Sequence, residues 1–252
     1  MKKFCLIGKS VEGISFSKVI HSSFCLYDYD LKNVPEDNLE SFIKTCEYDG
    51  FNITYPHKKS VMKYLDEVSG NAQNIGAVNV VVKRGGKLFG DNTDIFGMEY
   101  TFSKNDASVK DKYCLILGSG GTSNTAEYFC KTHGAKKTAK VSRTGVLNYE
   151  NVYSETPDVI INTTPVGMTP NVDSCPIEIS RFPSVEVVFD AIYTPSPTKL
   201  VKEAKFLGKN AFGGLDMLIY QAYKAAELFE GKKLSDDLIG KAREEVIGQF
   251  GL

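Results

Sequence analysis

Residues 113–123 read Tyr113-Cys114-Leu115-Ile116-Leu117-Gly118-Ser119-Gly120-Gly121-Thr122-Ser123. The unbroken apolar run predicts a strand buried on both faces, as in a parallel sheet. The glycines that end it open a helical stretch over 122–133, which stops at His133-Gly134, where glycine is the usual residue past a helix C-terminus. Strand, glycine-rich turn and helix in this order form the dinucleotide-binding fingerprint. Gly118 permits the tight turn, and Gly120 lets backbone approach a pyrophosphate, whose charge the N–H groups of the helix N-terminus meet. Ser119, Gly121 and Thr122 complete the turn, and Ser123 takes the third position, where Gly or Ala is usual. Taken alone, the same pattern also describes an ordinary turn between a strand and a helix.

The next predicted strand, 138–141, runs into Ser142-Arg143-Thr144. An NAD-binding fold places Asp or Glu there for the ribose 2′-hydroxyl, and such an acid repels a 2′-phosphate. Arg143 offers a bidentate cation, and Ser142 and Thr144 offer hydroxyl donors, which suits NADP. The competing reading is a solvated arginine at a strand end.

Outward from this unit, short apolar runs alternate with longer amphipathic ones, the pattern of an α/β protein. Further strands are predicted over 158–162, 186–189 and 210–212, with a helix over 198–207. Before the fingerprint, strands are predicted over 4–7, 50–53 and 78–83, and helices over 35–48 and 95–102. Arg84-Gly85-Gly86-Lys87 reads as a hairpin turn, because paired glycines accept the positive φ such turns require. The polar, aperiodic stretch 101–111 is the candidate junction between domains. The final helix carries Leu234, Leu238, Ile239, Ala242, Val246, Ile247 and Phe250 as an apolar stripe that must dock, and the expected partner is the first domain. The division expected is 1–102, with 234–250 returning to it, and 103–233.

Against a typical domain of ~150 residues, a chain of 252 makes one large domain or two modest ones. Lys and Arg number 30 against 31 Asp and Glu, so the basic excess that a nucleic-acid partner needs is missing. The 6 cysteines form no C-x-x-C pair and the chain has 3 histidines, so neither zinc spacing nor a disulfide framework is visible. The apolar stretch after Lys2-Lys3 ends at Lys9, too short for a secretory signal, and no run is long enough to span a membrane. A cytoplasmic protein is the expectation.

Two polar clusters lie at predicted strand ends. Asn52-Ile53-Thr54-Tyr55-Pro56-His57-Lys58 follows a strand, with Pro56 suited to the first turn of a helix. Gly90-Asp91-Asn92-Thr93-Asp94 opens the helix at 95 and is preceded by Gly76-Ala77-Val78-Asn79. Such edges are where α/β sheets collect ligands. Lys58 and Asp94 there are candidates for a catalytic pair, or else for a surface cation and a helix N-cap.

Together these blocks resemble the shikimate dehydrogenases, which reduce 3-dehydroshikimate to shikimate with NADPH in chorismate and aromatic amino acid biosynthesis. The resemblance runs through Ser15-Phe16-Ser17, residues 52–58, 76–79, 90–94, the turn from Gly118, and Ser142-Arg143-Thr144. It continues through Asn162-Thr163-Thr164-Pro165-Val166-Gly167-Met168, Asp190-Ala191-Ile192-Tyr193, and Gly213-Gly214-Leu215-Asp216-Met217-Leu218 with Gln221. It implies an N-terminal α/β substrate domain and a C-terminal Rossmann-like NADP domain, with Lys58 and Asp94 facing the substrate. Ser15 and Ser17 are implied to hold the substrate carboxylate, and Thr54, Asn79, Asp94, Tyr193 and Gln221 to contact its ring hydroxyls or carboxylate. Ala191 and Gly214 are implied to border the cofactor. Shikimate or 3-dehydroshikimate is the small-molecule partner, and the oligomeric state is left open between monomer and homodimer.

Hydride delivered to a ketone leaves an alkoxide that needs a proton. A lysine of ordinary pKa, near ~10.4, arrives protonated for that role. The chain departs from the family pattern near the carboxylate grip. Between Gly8 and Ser15 it carries one more residue and lacks the Pro and His before the first serine; Lys18 and Ser22 stand where Pro and Asn are usual. Those changes are what favours a relative preferring quinate. A non-catalytic dinucleotide-binding regulator is the third reading, disfavoured because nucleotide binding requires neither Lys58 nor Asp94.

Overall fold

The apolar runs at 4–7, 50–53 and 80–82 are buried on both faces, and this places them inside a sheet rather than on one. The computed structural model describes residues 2–13 and 15–252. Its contacts divide the chain into two units, Met1–Asp94 with Ile219–Leu252, and Ile95–Leu218.

The first unit contains β1 (Lys3–Gly8), α1 (Phe16–Ser23), β2 (Asp28–Asn33), α2 (Leu39–Thr45), β3 (Gly50–Ile53), β4 (Glu67–Val68), α3 (Gly70–Ile75), β5 (Val80–Arg84) and β6 (Lys87–Asp91). Its sheet runs β2-β1-β3-β5-β6-β4, with β1 parallel to β2 and β3, and β5 antiparallel to both β3 and β6. Gly85 and Gly86, both at positive φ, make the β5–β6 turn as expected. The register Asn52↔Val80↔Asp91 brings the end of β3, the start of β5 and the end of β6 to one edge.

The second unit contains α4 (Asp94–Lys104) from Ile95 onward, β7 (Tyr113–Leu117), α5 (Gly121–Thr132), β8 (Lys137–Val141), β9 (Val159–Asn162), β10 (Val187–Asp190), α6 (Lys199–Phe206) and β11 (Asn210–Gly213). All five strands are parallel, in the order β11-β10-β9-β7-β8. This is a Rossmann-like sheet, whose order reverses beside β7. One face buries Leu115, Leu117, Ile160, Val188, Leu200 and Val201. On the other, Phe102 of α4 is ringed by Phe129, Phe189 and Phe212 at centroid distances of 4.8, 5.5 and 5.4 Å.

The chain returns to the first unit inside α7 (Leu215–Glu230) and ends in α8 (Asp237–Phe250). Phe229 of α7 stacks on Phe4 of β1 at 4.0 Å, and Phe250 of α8 stacks on Phe16 of α1 at 3.7 Å. The final helix therefore docks on the first unit, burying Ala242 and Val246 of its stripe.

Several elements differ from the sequence expectation. The helix over 35–48 is a short 3-10 turn, Glu36–Asn38, followed by α2, and Cys46 leaves the helix in an extended conformation. Pro56 does not open a helix: it follows a cis peptide bond in a turn, and a 3-10 helix begins at Ser60. The polar stretch 101–111 lies within the second unit, because Thr101 and Phe102 are buried there; the contacts break at the first residue of α4 instead. α1, β2, β4, α3 and α7 have no counterpart among the expected elements.

Replacing Phe102 by Ala removes the centre of that aromatic ring. The expected cost is ~3–5 kcal/mol, read as a lower urea midpoint for the transition that reports on the second unit.

Candidate active site

Burying an amide or a carboxylate is costly unless every polar atom finds a partner, so a cluster of buried polar side chains is informative. In the first unit Asn52, Asn79, Asp91, Asn92, Thr93 and Asp94 are all buried at the sheet edge where β3, β5 and β6 meet. Lys58 reaches into this cluster. Its Nζ donates to Asp94 Oδ2 at 2.6 Å, with side-chain exposures of 24% and 11%. The lysine is thus an ion-paired group rather than a free surface cation.

The surrounding contacts fix both partners. The turn bearing Lys58 is held by Thr54 N donating to Ile7 O (3.0 Å), by His57 Nε2 to Val34 O (2.6 Å), and by Val78 N donating to Lys58 O (2.8 Å). Asn79 Nδ2 donates to Asp94 Oδ1 at 2.8 Å, while Asn79 Oδ1 accepts from Thr93 N at 2.7 Å. Gln221 Oε1, from α7, accepts from Asn79 Nδ2 and Thr93 Oγ1, each at 3.4 Å. Asn92 Oδ1 accepts from Asp94 N at 3.0 Å, and Asn92 Nδ2 donates to Ala77 O at 2.9 Å.

Lys58, Asp94, Asn79 and Gln221 are therefore gathered in one network, and half-buried Thr54 roots the lysine's turn. Ser15 stands at the N-cap position of α1 and lines a groove with Lys18 and Lys241; Ser17 lies in the first turn of α1. Among the described residues no hydrogen bond links either serine to the Lys58–Asp94 pair. Thr93 and Asn92 were visible in sequence only as members of a polar cluster. Their tasks, bridging Asn79 to Gln221 and holding the backbone of Asp94, depend on contacts between separate segments.

The second unit carries the fingerprint at the carboxyl edge of its sheet. Gly118 has φ +112°, and a Cβ there would lie 2.7 Å from Thr163 Oγ1. Gly120 precedes α5, and a Cβ there meets nothing within 4 Å, so its backbone faces open space. No side chain caps α5, which leaves its N-terminus to an external anion. Ser123, fully buried, donates from Oγ to Gly118 O at 2.8 Å and so braces the turn from inside. Leu117 pairs with Val141, so Ser142-Arg143-Thr144 follow β8 level with Gly118. Arg143 is exposed and makes no ion pair among the described residues. An uncapped helix, an open glycine and an unpaired guanidinium in place of a carboxylate fit a dinucleotide with a 2′-phosphate. Gly118 to Ser123 would hold its pyrophosphate and Ser142, Arg143 and Thr144 its extra phosphate.

Beside this edge, Gly214 closes on Ala191, whose O would lie 2.1 Å from a Cβ at Gly214. Burial pushes the Tyr193 hydroxyl up from its ordinary pKa. Asp190, at the end of β10, is fully buried and accepts from Asn162 Nδ2 (3.0 Å), Ile192 N (3.1 Å) and Thr198 Oγ1 (2.7 Å). Burial outweighs these donors and pushes its carboxyl up to about 6.

The family described as the shikimate dehydrogenase substrate binding domain matches residues 6–81. The whole chain aligns at 35% identity with the NADP(+) shikimate dehydrogenase of Caldicellulosiruptor bescii, covering 98% of it. The chain belongs to the shikimate dehydrogenase family. Among solved relatives, the chorismate mutase/shikimate 5-dehydrogenase fusion protein of Clostridium acetobutylicum superposes with a TM-score of 0.93 at 30% identity, covering 99% of this chain and 98% of that one. The shikimate 5-dehydrogenase of Thermus thermophilus, solved with NADP(H) and shikimate, gives 0.83 at 27% identity, covering 98% and 100%. Of the departures noted around Ser15, Lys18 and Ser22 lie within α1.

The Asp190 carboxyl, at about 6 in the folded protein against ~3.9 in an unfolded chain, makes a signed prediction. The folded state retains a proton that the unfolded chain has released, so this contribution to stability is full below pH ~4 and is lost as pH rises through ~6. An Asp190→Asn variant lacks the effect. Its stability relative to the native protein should therefore rise by up to ~3 kcal/mol between pH ~4 and ~7 and then level off, as measured by urea unfolding.

Proposed function

We propose that this protein catalyses the reversible NADPH-dependent reduction of 3-dehydroshikimate to shikimate, a step of aromatic amino acid biosynthesis. The observation that carries the reading is the 2.6 Å contact between Lys58 Nζ and Asp94 Oδ2. Nucleotide binding alone has no use for it, and family membership supplies the substrate class.

When bound, NADPH supplies a hydride to the ketone carbon. The chain's part is to supply a proton to the carbonyl oxygen as its electron pair develops negative charge. Lys58 Nζ is the donor in this proposal. One of its N–H bonds breaks as the O–H bond of shikimate forms, and in the oxidation direction the amine takes the proton back. Asp94 keeps the lysine aimed through Oδ2 and accepts a hydrogen bond from the neighbouring ring hydroxyl. Asn79, through its bond to Asp94 Oδ1, prevents the carboxylate from turning away. Thr54, Asn79, Gln221 and Tyr193 would contact the ring hydroxyls or carboxylate, and Ser15 and Ser17 would hold the carboxylate. On the cofactor side Ala191 and Gly214 join Gly118 to Ser123 and Ser142 to Thr144. A positioned general acid contributes ~10²–10⁴ in rate, or roughly 3–5 kcal/mol, so alignment of the two substrates must supply much of the remainder. The six cysteines are all free thiols, which supports a reducing, cytoplasmic setting.

The decisive assay follows NADP⁺ reduction with shikimate, then with quinate, and with NAD⁺ as cofactor. Shikimate with NADP⁺ should give the highest kcat/KM; a higher value with quinate would transfer the reading to the quinate-preferring relative. Lys58→Ala should lower kcat at least ~10²-fold while NADP⁺ affinity stays nearly unchanged. Arg143→Ala should weaken NADP⁺ roughly 10- to 100-fold, the worth of a charge-assisted hydrogen bond, and leave NAD⁺ little affected. Equal loss for both cofactors would show that Arg143 does not read the 2′-phosphate.

A further inference from the structure

Asp190 is a carboxylate that stability alone would not select. It is fully buried, and no cation among the described residues pairs with it. A buried charge without a counter-ion is expensive, and a polar amide or an apolar side chain is the cheaper occupant of such a site. What a carboxylate offers is acceptance at both oxygens, whereas an asparagine has one oxygen and turns an NH₂ toward the remaining donor.

The three donors come from the two ends of one loop and from the strand beside it. Oδ1 takes Ile192 N, from the loop after β10, and Asn162 Nδ2, from the end of β9. Oδ2 takes Thr198 Oγ1 at the far end of the β10 loop, and Thr198 also caps α6 by accepting from Val201 N. Asn162 passes the constraint on, since its Oδ1 accepts from Thr164 N at 3.0 Å and Thr164 Oγ1 at 2.8 Å. The loop so anchored is the one that faces the fingerprint, because Thr163 and Thr164 are the side chains a Cβ at Gly118 would strike. Farther along, Thr169 N donates to Thr194 O at 3.1 Å and joins the same two loops again. These loops lie at the carboxyl ends of β9 and β10, next to the point where the strand order reverses and where such sheets bind their ligands.

Building on the functional reading above, we propose that Asp190 is a positioning residue for the cofactor: its carboxylate fastens the loops after β9 and β10 to one another and thereby sets the affinity of the second unit for NADP(H). Asp190 touches neither cofactor nor substrate in this role. It acts through Asn162, Thr164 and Thr198.

The test is calorimetric titration of NADP⁺ into the native protein and into Asp190→Asn, Thr198→Val and Thr198→Ser, with urea unfolding of each measured alongside. Asp190→Asn should bind NADP⁺ about 10-fold more weakly, the equivalent of one charge-assisted hydrogen bond, with no fall in its unfolding midpoint at neutral pH. Thr198→Val, which removes the Oδ2 donor together with the cap on α6, should lose about threefold, and Thr198→Ser, which keeps the hydroxyl for both bonds, should restore native affinity. In steady state the KM for NADP⁺ should rise while kcat and the KM for shikimate move less than about twofold. Should Asp190→Asn fail to fold, the Thr198 pair carries the test by itself. Native affinity in both Asp190→Asn and Thr198→Val, or an affinity loss that merely tracks lost stability, overturns the role of Asp190. A native protein that takes up no NADP⁺ overturns instead the functional reading on which this role rests.

Discussion

An ammonium and a carboxylate separated by 36 positions in the chain, Lys58 and Asp94, meet at hydrogen-bonding distance, and the architecture of the first unit serves that meeting. The glycine-turned β5–β6 hairpin carries Asp94 back to the sheet edge where β3 delivers the turn bearing Lys58. A partly buried ion pair of this kind adds little net stability, because desolvation of the two ions consumes much of their attraction. What it adds is a fixed location for a proton donor. The amide of Asn79 makes that location unique, since its two ends hold Asp94 Oδ1 and Thr93 N at once.

The second unit uses the same economy of polar groups with the opposite electrostatics. Its edge exposes donors: the uncapped start of α5 and the unpaired guanidinium of Arg143. The buried carboxylate at that edge, Asp190, is satisfied from within by Asn162, Ile192 and Thr198. An anionic ligand is thus met by donors in front, and the negative charge that orders the donor-bearing frame is kept inside.

The strands over 113–117 and 50–53 were legible because each is a short apolar run bounded by turn residues, a pattern few other structures produce. α7 was not, because Leu215, Met217, Ile219, Ala222, Tyr223, Ala225, Ala226 and Phe229 are buried around much of its circumference, which erases the stripe that marks a surface helix. β2 was hidden for the contrary reason: Asp28-Tyr29-Asp30-Leu31-Lys32-Asn33 is an edge strand with a single fully buried residue. Residue types at the site could be read from the order of the motifs, yet the partnerships could not. Asn162 and Asp190 are 28 positions apart, and nothing in either segment announces the other. Pro56 misled because its fixed φ suits a helix start as well as a tight turn.

The route of the chain has a bearing on its synthesis. Residues of the second unit are contiguous and are complete once Leu218 has left the ribosome, whereas the first unit still lacks Phe229 to cover Phe4 and α8 to cover α1. Residues 1–94 must therefore wait, with Phe4 and Phe16 lacking their stacked ring partners and open to chaperones, until residues 219–252 have been translated. A nascent chain arrested shortly after Leu218 would carry a finished nucleotide fold tethered to an unfinished partner.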